Sequence, residues 1–326
     1  MATTRTRFDL DKLTRTPAMQ KLALTVLAGG PGGEREVSLE SGKAVAEALR
    51  SLGHDVSCED IGPDNLAALA KQVDCVFIAL HGRFGEDGQI QDILERRGLP
   101  YVGSGPEACA LAMNKALAKA KFSDLQLPTP RWATATPETI QEAVAAWTLP
   151  VVVKPVKEGS SIACHIVREF DAFRPAVEQV LAEYAECLIE EYVPGKEITV
   201  SVLGDQALPP IEIRTPREFY DYDAKYVDDN TEYLFDIDLP ESLLDHVVEM
   251  SLKAHQALGC RDFSRVDWRI DDKQLRPALL EVNVIPGLTS HSLLPKAAQR
   301  AGLAMPQMCQ FIVDLALKRK FSENAS

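Results

Sequence analysis

Glu281 and Asn283 close an apolar run, Ala278-Leu279-Leu280, shortly before the Pro-Gly turn at 286 and 287. In a strand, positions two apart share a face. The pair therefore offers two hard oxygens side by side, either to a cation or simply to water at a strand end. Upstream, SRVDWRI alternates Arg265, Asp267 and Arg269 against Val266, Trp268 and Ile270. Folded with LLEVNV as a hairpin, this strand brings Asp267 beside Glu281 and Asn283. Two carboxylates and an amide, without sulfur or imidazole, suit Mg²⁺ (or Mn²⁺), which keeps waters and takes substrate phosphates as its other ligands. A surface Arg–Asp–Arg pairing would account for Asp267 alone. The hairpin together with a lysine upstream favours the metal.

That lysine is Lys154, at the end of the apolar strand in VVVKPVKEGSSIACH. Its stem is packed, so its ammonium leaves the sheet at a fixed place. The loop Glu158-Gly159-Ser160-Ser161 then offers backbone N–H groups and two hydroxyls, a concavity suited to phosphate oxygens. Taken alone, the segment reads equally as an exposed hairpin turn. LIEEYVPGKE carries Glu190, Glu191 and Glu197. They form either a solvated strand edge or a hinge whose backbone pairs with a purine edge while a carboxylate binds ribose hydroxyls. LAGGPGGERE resembles a dinucleotide fingerprint, but Arg35 stands where GxGxxG needs its third glycine, and no GxxxxGK[ST] occurs. What remains is a strand–helix turn, or Glu34 facing a cleft at the C-terminal ends of the strands.

The elements that must position these groups follow from periodicity. KLALTVLAGG, DVSCEDI and CVFIALHG read as strands, with EVSLESGKAVAEALRSLGH and GQIQDILERRG as helices. This alternation predicts an α/β unit with a parallel sheet. GSGPEACALAMNKALAKAKF then predicts one helix, LPVVVKPVKEGSSIACHIV a hairpin, and CLIEEYVPGKEITVSVLG a second strand pair around a tight Pro-Gly turn. A long polar loop, REFYDYDAKYVDDNTEYLFD, and the helix ESLLDHVVEMSLKAHQALG precede the metal hairpin. The expected organisation is a tail over 1–20, units over 21–103, 104–190 and 191–320, and a tail over 321–326.

A chain of 326 residues, 46% hydrophobic and 25% charged, can bury the cores of two or three domains. Its net charge of −13 lacks the basic footprint that nucleic acid requires. No run of 18 apolar residues predicts a membrane span, and the first twenty residues lack the apolar core of a secretory signal. Seven scattered cysteines without a CxxC pair read as the reduced thiols of a cytoplasmic protein.

A phosphate-loop hairpin, an acidic hinge and a carboxylate–amide hairpin, in that order behind an α/β unit, resemble the ATP-grasp ligases. GGEREVSLESG, FIALHGRFGEDGQIQ, LPYVGSG, MNKALAK, VVVKPVKEGSS, FYDYDAKY, GCRDFSRVDW and EVNVIPGLTSHSLLP resemble the D-alanine:D-alanine ligase family within them, over residues 21 to 318. The resemblance implies an α/β chain, α+β in its ATP-binding part, of three domains: an N-terminal Rossmann-like substrate domain, a central lid and a C-terminal catalytic domain. It implies ATP as phosphoryl donor, two Mg²⁺ and a cytoplasmic homodimer with no nucleic-acid or membrane partner. ATP would phosphorylate one D-alanine, and the amine of a second would attack the acyl phosphate.

By motif, Glu34 would hold the first ammonium, with Ser160 and Tyr226 near it and His81 beside that subsite. Lys115, Lys154, Ser160, Ser161 and Lys225 would meet ATP phosphates. Glu190, Glu191, Val193 and Glu197 would line the adenosine site, and Asp267, Glu281 and Asn283 would hold the metal. Arg265 and the Gly287 amide would face the oxyanion, and Ser292 and Leu293 would receive the second substrate. Three residues depart from the family pattern. Ala163 replaces a usual glycine and would resist positive φ, Val284 replaces a threonine, and Phe84 replaces a common glycine. A different acceptor (D-lactate, D-serine or another amino acid) and a non-catalytic nucleotide-binding protein are the other readings.

Overall fold

The apolar run of KLALTVLAGG becomes β1 (Ala23–Gly29), buried along nearly its whole length. It lies between β2 (Asp55–Ile61) and β3 (Cys75–Ile78), and all three strands are parallel in the order β2-β1-β3. A central parallel strand is covered on both faces, which is why β1 lacks polar alternation. Helix α1 (Arg35–Ser51) covers one face. A Cβ at Gly42 would lie 2.4 Å from the Ala28 Cβ, so only glycine lets the helix sit this close. A 3₁₀ turn at Ala67–Ala70 joins β2 to β3, and α2 (Gln89–Arg96) follows. The chain is described here from a computed structural model covering residue 9 and residues 20–216 and 230–323. The tail expected over 1–20 lies almost wholly outside the described residues.

The single helix expected over GSGPEACALAMNKALAKAKF is two: α3 (Pro106–Met113) and α4 (Lys115–Asp124). Asn114 breaks it with extended backbone, and its side chain accepts from the Leu117 amide at 3.1 Å. Asparagine competes with the helix ladder in interiors and favours caps. The break puts Lys115 in the first turn of α4, where its amide bonds the Val156 carbonyl at 3.0 Å.

Strands β4 (Trp132–Ala135), β5 (Val151–Pro155), β6 (His165–Val167) and β7 (Cys187–Glu191) form an antiparallel sheet in the order β4-β7-β5-β6. Helices α5 (Ile140–Ala145) and α6 (Phe170–Glu183) pack on it. It has its own core, including Val151, Val153, Phe173, Val177 and Ile189. The expected β5–β6 hairpin forms. The expected pairing of β7 with β8 (Lys196–Leu203) does not, because β8 belongs to another sheet. The intervening turn is held to that second sheet instead: Arg269 donates to the Val193 carbonyl at 3.2 Å and the Gly195 carbonyl at 2.7 Å. Gly195 has φ +94°, and a Cβ there would meet the Ile270 carbonyl at 2.2 Å. The turn is thus a crossing between sheets.

The second sheet contains β8, β9 (Gln206–Ala207), β10 (Ile211–Arg214), β11 (Glu232–Leu234), β12 (Phe263–Asp271) and β13 (Arg276–Asn283), in the order β11-β10-β8-β12-β13 with β9 on β8. Helices α7 (Glu241–Ala257), α8 (Leu293–Arg300) and α9 (Met305–Glu323) complete it. Its core is continuous with that of the parallel sheet: Phe77 of β3 stacks on Phe263 of β12 with ring centroids 6.4 Å apart.

Candidate active site

A cleft with a cavity volume of about 120 Å³ opens between the two antiparallel sheets, lined by Lys115, Lys154, Ser161, Glu191, Val193, Glu197, Asp267 and Glu281 among others. One wall is the β12–β13 hairpin, where Asp267 lies opposite Glu281 and Arg265 opposite Asn283. A bulge makes this possible: Trp268 pairs with Leu279, so Leu280 is an extra residue. Without it Leu279 and Glu281 would share a face. With it, Leu279 stays in the core while Glu281 and Asn283 turn toward Asp267.

Asp267 Oδ1 accepts from Thr199 Oγ1 at 2.7 Å, and Arg265 donates to both its oxygens, at 2.9 and 2.7 Å. Asn283 Oδ1 is buried without a hydrogen-bond partner among the described residues. A buried, unsatisfied oxygen is what a cation ligand leaves behind, since such a group otherwise carries a desolvation penalty. No cluster of three or more His, Cys, Asp or Glu suited to an ion occurs among the described residues. An ion here needs Asn283 and oxygens brought by substrate, which fits Mg²⁺.

The opposite wall is cationic. Lys154 Nζ lies 2.5 Å from Glu190 Oε1, and Lys119 Nζ lies 2.9 Å from Glu190 Oε2. Burial acts against the Lys154 ammonium, but Glu190 outweighs it and holds the pKa above its ordinary value. Burial likewise acts against the Glu190 carboxylate, and the two lysines overcome it and hold its pKa down. The Glu190 side chain is thus committed to the lysines rather than turned to a ribose. Lys115 donates to the Glu158 carbonyl and lies 3.4 Å from Glu281 Oε2. Glu191 pairs with Arg276 at 2.7 Å and Glu197 with Arg269 at 3.4 Å, at the sheet crossing. Lys119 escaped the sequence reading, although its i, i+4 spacing from Lys115 puts both on one face of α4. Cys164 also lines the cleft, its thiol pushed up to about 12 by burial.

Glu34, at the start of α1, accepts a hydrogen bond from Ser160 Oγ, joining the first unit to the loop after β5. That loop holds Ser160, Ser161 and Ala163 at φ +48°, +55° and +51°. Ala163 thus occupies the conformation in which the family's glycine is at ease. Left-handed backbone costs an L-residue about 1–2 kcal/mol, against about 0.5–1 kcal/mol of extra unfolded-state entropy for glycine. Ala163→Gly is therefore expected to stabilise the chain slightly, by up to about 1 kcal/mol in a urea titration, and to shift nucleotide affinity or turnover through the loop. A less stable variant with unchanged kinetics would mean that packing of the methyl group outweighs the backbone strain. Phe84, at φ +74°, is only 1% exposed; burial of its ring, about 1.5–3 kcal/mol, offsets the strain. Val284 is buried in the same core, where a hydroxyl would need a partner.

His81 and Glu86 flank this corner. Glu86 was not singled out from sequence, since HGRFGEDG reads first as a glycine-rich turn. It is buried, accepts from the Gly82 amide at 2.6 Å, and is pushed up to about 8 by burial and by Glu34, against the pull of Arg265. A carboxyl raised from 4.5 to about 8 is protonated in the folded chain and ionised in the unfolded chain between those values. Its contribution to stability is therefore fully present below the unfolded value and lost as pH rises toward 8. Glu86→Gln is expected to remove this slope: its stability relative to the parent should improve steadily from pH 5 to pH 8 in denaturant titrations. A pH-independent difference would contradict the assignment.

Gly287 lies against Ser292, whose Oγ would be 2.6 Å from an added Cβ. Ser292 Oγ also accepts from the Thr289 amide at 3.1 Å, and Leu293 opens α8, buried. Lys225 and Tyr226 lie outside the described residues. Of the expected site residues within them, Lys115, Lys154, Ser161, Glu190, Glu191, Val193, Glu197, Asp267 and Glu281 line the cleft, and Ser160 meets Glu34.

The family model described as D-ala D-ala ligase C-terminus matches residues 111–314, and that described as D-ala D-ala ligase N-terminus matches 57–104. The chain is 44% identical over 299 residues to the D-alanine–D-alanine ligase of Acidiphilium cryptum, covering 91% of this chain and 99% of that protein. The chain belongs to the D-alanine–D-alanine ligase family. Among solved structures of such ligases, the Bacillus anthracis enzyme complexed with ATP superposes with a TM-score of 0.79 at 31% identity, covering 93% of this chain and 99% of that one. The VanG D-Ala:D-Ser ligase of Enterococcus faecalis superposes with a TM-score of 0.80 at 28% identity, covering 91% and 100%. The D-alanine–D-alanine ligase fold here is accordingly ATP-grasp, mixed α/β, with one parallel and two antiparallel sheets among the described residues. No helix among the described residues is long and apolar enough to cross a membrane.

Proposed function

We propose that this chain joins two D-alanines into D-alanyl-D-alanine, forming ADP and phosphate, for peptidoglycan precursor synthesis in the cytoplasm. One observation carries the reading: Lys115 and Lys154 line the same cleft as Asp267 and Glu281, and Asn283, two residues on along the same strand, has its Oδ1 buried and unsatisfied among the described residues. Lys115, Lys154 and the Ser160–Ser161 loop bind phosphate oxygens, with Lys225 nearer the γ-phosphate. Glu191, Val193 and Glu197 line the adenosine end, and Glu190 acts through Lys154 and Lys119. Asp267, Glu281 and Asn283 hold two Mg²⁺, which when bound neutralise the charge on the transferring phosphoryl group.

In this reading the units over 21–103, 104–190 and 191–320 are the substrate, lid and catalytic domains of a homodimer. Glu34 orients the ammonium of the first D-alanine, with Ser160 and Tyr226 at its side. The carboxylate attacks the γ-phosphorus and ADP leaves. The amine of the second D-alanine, whose carboxylate rests at Ser292 and Leu293, then attacks the acyl carbon. The negative charge that develops on oxygen is met by Arg265 and the Gly287 amide, and phosphate departs as the peptide bond forms.

The likeness to a D-Ala:D-Ser ligase favours acceptor choice as the second question. The test is ADP release with ATP, Mg²⁺ and D-alanine, L-alanine, or D-alanine mixed with D-serine or D-lactate. D-alanine alone should suffice, with the dipeptide as product. Turnover only with a mixture would assign another acceptor, and none with any of them would leave a nucleotide-binding homologue.

A further inference from the structure

The segment carrying Gly287 is tied at both ends to the N-terminal unit through three hydrogen bonds. The Leu288 amide donates to Ser41 Oγ at 3.2 Å. Ser41 Oγ lies 3.3 Å from His81 Nε2, and His81 Nδ1 lies 3.1 Å from the Ile285 carbonyl oxygen. These partners are separated by 247, 40 and 204 positions in sequence. Ser41, His81, Ile285 and Leu288 are all buried.

With His81 neutral, as its burial favours, the end groups fix every proton in the chain. A carbonyl oxygen only accepts, so Nδ1 carries the hydrogen. An amide only donates, so Ser41 receives at its lone pair and directs its own hydrogen at bare Nε2. The order is Leu288 N–H to Ser41, Ser41 O–H to His81, His81 N–H to Ile285. Between the tied residues stand Pro286, whose ring fixes φ, and Gly287, confined on its other side by Ser292 Oγ. An amide so placed cannot swing to follow a moving charge, which is the condition for oxyanion stabilisation.

We infer that Ser41 and His81 are positioning residues that clamp the 285–288 segment and thereby aim the Gly287 amide. This rests on the proposed ligation, in which that amide faces the developing oxyanion. It differs from a role for His81 as a direct substrate contact, and it gives buried Ser41 of α1 a part in turnover.

The test uses the full chain and reads kcat for D-alanine-dependent ADP release, KM for D-alanine and Kd for ATP. Misplacement by about 1 Å can cost about 10²-fold in rate. His81→Ala is accordingly expected to lower kcat about 10²-fold, and Ser41→Ala, which loosens one end, about tenfold. The double variant should fall no more than about twofold below His81→Ala, because members of one chain are not additive. His81→Asn, whose amide nitrogen can stand where Nδ1 does, should exceed His81→Gln by about fivefold. ATP affinity should stay within about twofold throughout, which also reports an intact fold. Fully additive losses, or equal activity of the asparagine and glutamine variants, would overturn the clamp. So would a raised KM for D-alanine with Ser41→Ala at parental kcat, the pattern of a direct contact. The parent is assayed first: if it fails to turn over D-alanine, the ligase reading falls, whereas an active parent with uncoupled variants counts against the clamp alone.

Discussion

Arg265→Met is expected to lower kcat by about 10²–10³, roughly 3–4 kcal/mol, while the Kd for ATP stays close to the parental value. Arg265 is 8% exposed and donates to both oxygens of Asp267. Its simplest role is to neutralise that carboxylate. Were this all, its loss would act mainly on Mg²⁺ and ATP binding. But Asp267 keeps its bond from Thr199, and removing a neighbouring cation leaves the carboxylate a stronger ligand. Attack on an acyl phosphate puts negative charge on the former carboxylate oxygen, and a fixed guanidinium favours that state over the ground state. Breaking a buried pair can destabilise by about 3–5 kcal/mol, so thermal unfolding must accompany the kinetics. Arg265→Lys, which keeps charge but loses the planar fork, should recover part of kcat. Weak ATP binding with near-normal kcat at saturation would sink the oxyanion role and leave Arg265 a neighbour of the metal site.

Glu281→Gln is expected to weaken Mg²⁺-dependent ATP binding by at least about 10–100-fold and to abolish measurable turnover, with the fold intact. The substitution keeps size and one acceptor oxygen but removes the charge opposite Asp267. It also takes from Lys115 the carboxylate 3.4 Å away. ATP binding titrated against Mg²⁺ separates the two losses. A metal effect moves the Mg²⁺ midpoint, whereas a lysine effect weakens ATP at every Mg²⁺ level. Unchanged activity at limiting Mg²⁺ would return Glu281 and Asn283 to an ordinary wet strand end.

Much of this geometry follows from alternation in the sequence. Arg265, Asp267 and Arg269 against Val266, Trp268 and Ile270 could only be a strand with one polar and one buried face, and its hairpin partner was adjacent. Parity along β13 was not legible, because the bulge at Leu280 decides it and depends on Trp268 and Leu279 packing in the same core. The β7–β8 segment misled for a similar reason. A Pro-Gly turn between apolar strands is locally a hairpin, and Arg269, from a strand some seventy residues later, holds the turn to the other sheet. Asn114 carried its helix break in its own chemistry, yet the apolar periodicity on both sides concealed it. The strain expected at Ala163 was readable, since a position where relatives use glycine suggests positive φ. Lys119 and Glu86 were hidden because burying a charge is normally unfavourable, and sequence does not disclose that Lys119 has Glu190, or that Glu86 has the Gly82 amide, as partner.

Transfer of oxygen from substrate to phosphate would show whether D-alanine is activated as an acyl phosphate. D-alanine labelled with ¹⁸O in both carboxyl oxygens is turned over with unlabelled ATP and Mg²⁺, and the products are examined by mass spectrometry. If the carboxylate attacks the γ-phosphorus and the amine then displaces phosphate, one ¹⁸O leaves in each inorganic phosphate. ADP stays unlabelled, and the new peptide carbonyl retains the other ¹⁸O. Unlabelled phosphate alongside dipeptide, or label appearing in AMP, would contradict activation of D-alanine as an acyl phosphate in this cleft.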